Sequence, residues 1–366
     1  MSKSIDFELN ESTFKQLLEV KKNSGFQTKS WNEWFNHIFP SKDIGTTQQE
    51  KIESIAKGVF YDTVYDLWIQ NFASNLQHIW NEPSAKILSN TIANETLKEN
   101  SAIVIGRGPS IKKHDHLKLL AESNFLGSIV CTDGALVNVL NAGITPDKFP
   151  KFYVVTIDVE KVQRDLYDHK LIDEFGSKIT GIFSSLADPE TAQRAREANI
   201  KLHWLHPLVD YDEGRKSLNY IIAQMVRTKK DSGLPGLQTG GNVGTSCWFI
   251  AWQILKRKTV GLIGINHGWE EDTPIDFILS HGNNNPLQEI DKNSQKFKRL
   301  FPKVFNPEFN CNCILDPLFQ YYSLALKEFI KRSPEWLTTI NATEGGCIFG
   351  ERITCMKFKE FLISFS

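Results

Sequence analysis

Ile103-Val104-Ile105-Gly106-Arg107-Gly108-Pro109-Ser110 is the stretch whose reading decides the fold. An apolar run without polar alternation describes a strand buried on both faces, as in a parallel sheet. The two glycines after it let the backbone approach a ligand closely. Ser110 stands where it can cap the following helix, whose amide-rich start suits an anion. The chemical reading is a phosphate cradle. The plainer one is a tight turn, since Lys113 stands where a dinucleotide fingerprint has its third glycine.

Working outward, further short apolar runs read as strands at Ala102 to Ile105, Ser128 to Thr132, Tyr153 to Ile157, Lys178 to Phe183, Lys201 to Leu205 and Thr259 to Ile263. Helical segments are predicted between them at 112–122, 134–141, 161–174, 189–198, 216–227 and 243–257. Alternating β and α units with right-handed crossovers give an α/β fold, a doubly wound, mostly parallel Rossmann-like sheet. Its ligands belong beyond the carboxyl ends of the strands.

Residues 1–98 read as an N-terminal helical region, and 99–350 as the nucleotide-binding domain, with 265–313 as an insertion or lid carrying a short helix at 288–299. A helix at 317–332, a strand at 337–341 and a last helix at 355–363 complete a C-terminal α+β extension, of which 351–366 form the closing helical piece. Trp31, Trp34, Trp68 and Trp80 suit packing between helices better than an aromatic binding box.

The 366 residues balance 42 Lys and Arg against 43 Asp and Glu, without the basic run that a nucleic acid or an anionic membrane would call for. The start has no apolar leader and no stretch reaches a membrane span, so a cytoplasmic protein is expected. Six scattered cysteines point to reduced thiols, and Cys311 with Cys313 lacks a second pair at zinc-site spacing.

Several strand ends carry polar groups. Asp133 in Thr132-Asp133-Gly134-Ala135 and Asp158 in Thr156-Ile157-Asp158-Val159-Glu160 face the same crevice as the glycine turn. Each is a candidate Mg²⁺ ligand, ribose partner or general base, or else a helix cap. Thr239, Gly240, Asn242 and Thr245 belong to a second flexible, hydroxyl-rich loop built to surround phosphate or sugar oxygens. Asn266 and His267 follow the strand Thr259 to Ile263, where His267 is a candidate acid or base or a structural histidine. Glu344, in Asn341-Ala342-Thr343-Glu344-Gly345-Gly346, is a candidate catalytic carboxylate or part of a cap turn. His281 to Asn285 reads as a linker rather than a loop over the site.

The ordered set GRGPS (106–110), TDGAL (132–136), Gly143-Ile144-x-Pro146-Asp147, TIDVE (156–160), TGGNVGTS (239–246), GLIGINHGW (261–269) and NATEGG (341–346) resembles the proteins with a 6-hydroxymethylpterin diphosphokinase MptE-like domain. These include the Maf motility-associated glycosyltransferases. The resemblance implies one of two transferases. One moves pyrophosphate from ATP, with Mg²⁺, to a hydroxymethylpterin. The other uses a nucleotide-activated sugar of the CMP type on a sialyltransferase-like core.

The late GLIGINHGW and NATEGG elements and the chain length favour the sugar branch. The acceptor class stays open between glycan, protein and pterin. On that reading Gly106, Gly108 and Ser110 hold donor phosphates, Thr239, Gly240, Asn242, Thr245 and Asn266 complete the pocket, and Asp158, His267 and Glu344 serve catalysis. Asp133 and Asp158 are the metal ligands of the diphosphokinase alternative. A third alternative is a nucleotide-binding module without turnover, because Asn266 replaces the family's usual acid.

Overall fold

The computed structural model describes residues 62–91, 98–210, 214–271, 301–315 and 317–366, with a few isolated positions besides. The helix expected at 288–299, the His281 to Asn285 loop, Trp31 and Trp34 lie outside the described residues.

One compact unit spans Ile52–Ser366. Its centre is a sheet of strands β1 (Ser101–Ile105), β2 (Ser128–Thr132), β3 (Phe152–Thr156), β4 (Thr180–Ser184), β5 (Lys201–Pro207), β6 (Gly236–Leu237), β7 (Thr259–Ile263), β11 (Thr338–Asn341) and β12 (Ile353–Cys355). Their order across the sheet is β12-β11-β7-β1-β2-β3-β4-β5-β6, and all pairings are parallel. The chain winds outward from β1 to β6, then returns to the other flank of β1 with β7. This is the reversal that defines a doubly wound sheet.

Alternate residues of each central strand feed two cores, which is why the runs are apolar throughout. Ile103, Ile105, Ile129, Cys131 and Val154 pack on one face with Trp68, Leu136 and Phe361. Ala102, Val104, Val130 and Val155 pack on the other with Trp248, Ile250 and Leu326.

The helices that supply these side chains are α1 (Asp62–Asn81), α2 (Ser110–Lys113), α3 (His116–Glu122), α4 (Asp133–Asn141), α5 (Lys170–Phe175), α6 (Pro189–Glu197), α7 (Leu218–Arg227), α8 (Val243–Phe249), α9 (Pro317–Lys331) and α10 (Phe358–Phe365). The single helix predicted at 112–122 is two helices, broken where Asp115 adopts a left-handed backbone at φ 51°. The one predicted at 161–174 is a 3₁₀ segment, Lys161–Tyr167, followed by α5. The one predicted at 243–257 passes from α8 into a π-helical turn, Ile250–Ile254.

A small antiparallel sheet of β8 (Trp269–Glu270), β9 (Lys303–Asn306) and β10 (Cys311–Ile314), in the order β8-β10-β9, stands beyond β7. The cysteines are free thiols. Among the described residues no helix is long and apolar enough to cross a membrane.

Candidate active site

Because the strands run parallel, residues 106, 133, 158 and 266 all emerge on one edge. The reversal of strand order lies between β1 and β7, where an open α/β sheet presents a crevice.

The loops leaving these two strands lock together. The Gly106 amide donates to the Ile263 carbonyl and the Gly108 amide to the Gly264 carbonyl, both at 2.9 Å. A Cβ at Gly106 would stand 2.4 Å from the Gly264 oxygen, and one at Gly108 would stand 2.1 Å from Asn266 Oδ1. The glycines are therefore required by loop-on-loop packing before any ligand is considered.

Ser110 does not cap. It is the first residue of α2, which follows Pro109 without a side-chain cap, and its buried hydroxyl donates to Asn266 Oδ1 at 2.9 Å. That bond leaves the Asn266 Nδ2 donor buried with no hydrogen-bond partner among the described residues. The backbone carbonyl of Asn266 accepts from the Cys347 amide at 2.8 Å, which ties in the loop after β11.

The second loop reaches the same edge. Gly106 and Gly244 both abut Ile265 Cδ1, at 2.6 and 2.8 Å from where their Cβ atoms would stand. Asn242 caps α8, its Oδ1 accepting from the Thr245 amide at 2.9 Å while its Nδ2 donates to the Thr245 hydroxyl at 3.0 Å. Thr239 Oγ1 accepts from the Gly241 amide at 3.2 Å, and Gly240 bends the loop at φ 56°. Most of these polar groups thus have partners inside the loop.

Asp133 is buried at the first turn of α4, with Oδ1 accepting from the Gly134 amide at 2.7 Å. Burial first, and the charge of Asp158 second, push its carboxyl up to about 7, against the pull of the Gly134 amide, the Thr156 hydroxyl and Arg107. Asp158 reaches solvent from a closely surrounded position. Desolvation and the Glu160 charge raise it, and Arg107 opposes them.

Sequence reasoning missed the groups that hold this region in place. Asn71 Nδ2 donates to the Val159 carbonyl at 2.9 Å and the Leu186 carbonyl at 3.0 Å, and Asn75 Nδ2 to the Ala187 carbonyl at 2.7 Å. Two buried amides on α1 thereby fix the loops after β3 and β4, Asp158 included. Trp68 is buried in the core, and Trp80 Nε1 bonds the Val226 carbonyl at 3.2 Å, so both pack as expected.

The other two candidate acid–base residues have different surroundings. His267, at φ 41°, is buried and stacks on Phe319 at 6.2 Å. Burial, and then the Lys327 charge, hold it down at about 3, so it is a neutral imidazole at physiological pH. Glu344 Oε1 accepts from the Phe358 amide at 3.1 Å, at the start of α10, and lies 3.4 Å from His116 Nε2. Its Oε1 thus holds the first amide of the last helix.

Among the described residues no group of three His, Cys, Asp or Glu side chains is placed to hold a metal ion. The two crevice acids are a poor fit for Mg²⁺. Asp133 is buried with one oxygen already bonded to the Gly134 amide, and both acids feel the Arg107 cation.

Fold and edge together define a doubly wound α/β protein with polar loops gathered at its topological switch point. Residues 70–272, more than half of the chain, match the family described as 6-hydroxymethylpterin diphosphokinase MptE-like, and the chain belongs to that family. The fold is similar to that of the MAf glycosyltransferase from Magnetospirillum magneticum AMB-1, with a TM-score of 0.52 at 17% identity. The similarity covers 80% of this chain and 39% of that one, so this chain spans well under half of the larger protein. No curated protein sequence matches it.

Proposed function

We propose that the chain is a nucleotide-dependent transferase, most simply a Maf-like glycosyltransferase that takes a CMP-type sugar donor in the crevice between β1 and β7. The observation that carries this reading is the meeting of the Gly106–Gly108 loop, Asp133, Asp158 and Asn266 on one strand edge at the switch point. The Gly106 and Gly108 amides are bonded to carbonyls at the end of β7, so this turn would meet a phosphate through Arg107 rather than through those amides. Thr239, Gly240, Asn242 and Thr245 form the pocket wall on the far side of Ile265.

In this reading the main catalytic effect is stabilisation of the charge on the departing nucleotide by donors already in place. An acceptor hydroxyl attacks the sugar carbon, the bond to the nucleotide phosphate breaks, and the hydroxyl proton passes to Asp158, the solvent-facing acid. His267, neutral and stacked on Phe319, orients rather than exchanges protons.

The diphosphokinase reading is favoured by family membership. It would need Mg²⁺ against the transferring phosphates, which Asp133 and Asp158 fit poorly.

A thermal-shift screen of CMP, UDP, GDP and ATP, with and without Mg²⁺, tests the proposal. A ligand at a hundred times its Kd stabilises the folded state by about 2.7 kcal/mol. A shift led by CMP supports sugar transfer. AMP release from ATP that depends on a pterin and Mg²⁺ supports the second reading, and no shift with any nucleotide contradicts both.

A further inference from the structure

We infer that Arg107, together with the side-chain amide of Asn266, binds the anionic phosphoryl group of the donor and stands in for a divalent cation at this crevice. The inference rests on the proposed nucleotide site and adds how its charge is met.

Arg107 is exposed on the loop after β1 and makes no ion pair among the described residues. Its side chain nevertheless crosses to the end of β2: a Cβ at Gly134 would stand 3.1 Å from Arg107 Cδ and 3.5 Å from its Nε. Its positive charge is felt by Asp133 and by Asp158 without closing on either. A guanidinium with no ion pair among the described residues offers its planar fork of donors to a phosphoryl group, which it can take in bidentate fashion.

Asn266 supplies the second donor. The Ser110 hydroxyl occupies its Oδ1, so the atom left over is Nδ2, a buried donor with no acceptor among the described residues. An aspartate here would present another negative charge and no donor. With asparagine, the end of β7 asks for an oxygen acceptor, and a phosphoryl oxygen seated in the crevice is one.

A metal would enter on worse terms. It would sit beside a fixed cation, and the two carboxylates nearest to it are not joined by a third ligand among the described residues.

The test is calorimetric titration of the whole chain with CMP and with inorganic pyrophosphate, in EDTA and in Mg²⁺, for wild type, Arg107→Ala and Asn266→Asp. Circular dichroism melts confirm that each variant is folded. Wild type is expected to bind in EDTA within about twofold of its affinity in Mg²⁺. Arg107→Ala should weaken binding at least tenfold, and Asn266→Asp should make it depend on Mg²⁺. Wild-type binding that appears only with Mg²⁺, or affinity unchanged in Arg107→Ala, overturns the inference and leaves the nucleotide site standing. Full cation-free affinity in Asn266→Asp removes the amide's part. If wild type binds neither probe in either buffer, the nucleotide reading itself falls.

Discussion

The Ser110 hydroxyl and Asn266 Oδ1 meet across 2.9 Å, joining the loop after β1 to the loop after β7 at the place where strand order reverses. Both residues are buried, so water does not replace either partner while the chain is folded. Ser110→Ala strands the Asn266 oxygen and should cost about 1–3 kcal/mol. Urea unfolding measures this, and a change under about 0.3 kcal/mol would mean the bond does not hold the loops.

Gly108→Ala places a methyl 2.1 Å from Asn266 Oδ1 and 2.7 Å from the Gly264 oxygen. Backbone on one side and a pinned amide on the other leave little room to give. The expected loss is about 1–3 kcal/mol, typical of overpacking. Stability equal to wild type would show that the two loops separate easily.

Stability should fall as pH rises from about 4 to about 7, because Asp133 moves from 3.8 to about 7 on folding. The folded chain then retains a proton that the unfolded chain has already lost, so the contribution is complete below pH 4 and gone above 7. Asp133→Asn removes that slope, which amounts to about 2–4 kcal/mol over the range. Parallel pH–stability curves for wild type and variant would contradict the assignment.

The strands were legible because continuous apolar runs have few alternatives in a chain of this length, and the crevice acids followed from strand polarity alone. Ser110 was misread because its partner lies 156 residues away, and no local pattern marks Asn266 as the group that needs its hydroxyl. Asn71 and Asn75 look like solvated positions on a helix until their carbonyl partners, 88 to 115 residues away, are seen. The two-residue strand β6 and the polar strands β8 to β10 carry too few apolar residues to announce themselves. The break at Asp115 rests on a left-handed backbone with no glycine to mark it.

Glu344→Ala should cost about 1 kcal/mol, since its Oε1 holds the first amide of α10 and pairs with His116. Its effect on CMP affinity should be nil. Loss of binding without loss of stability would return this carboxylate to the site.

The most direct measurement is a crystal structure of the chain grown with CMP. The account predicts the phosphate beyond the carboxyl ends of β1 and β7, within hydrogen-bonding distance of the Arg107 guanidinium. A nucleotide bound on any other edge of the sheet, with this crevice closed, would contradict it.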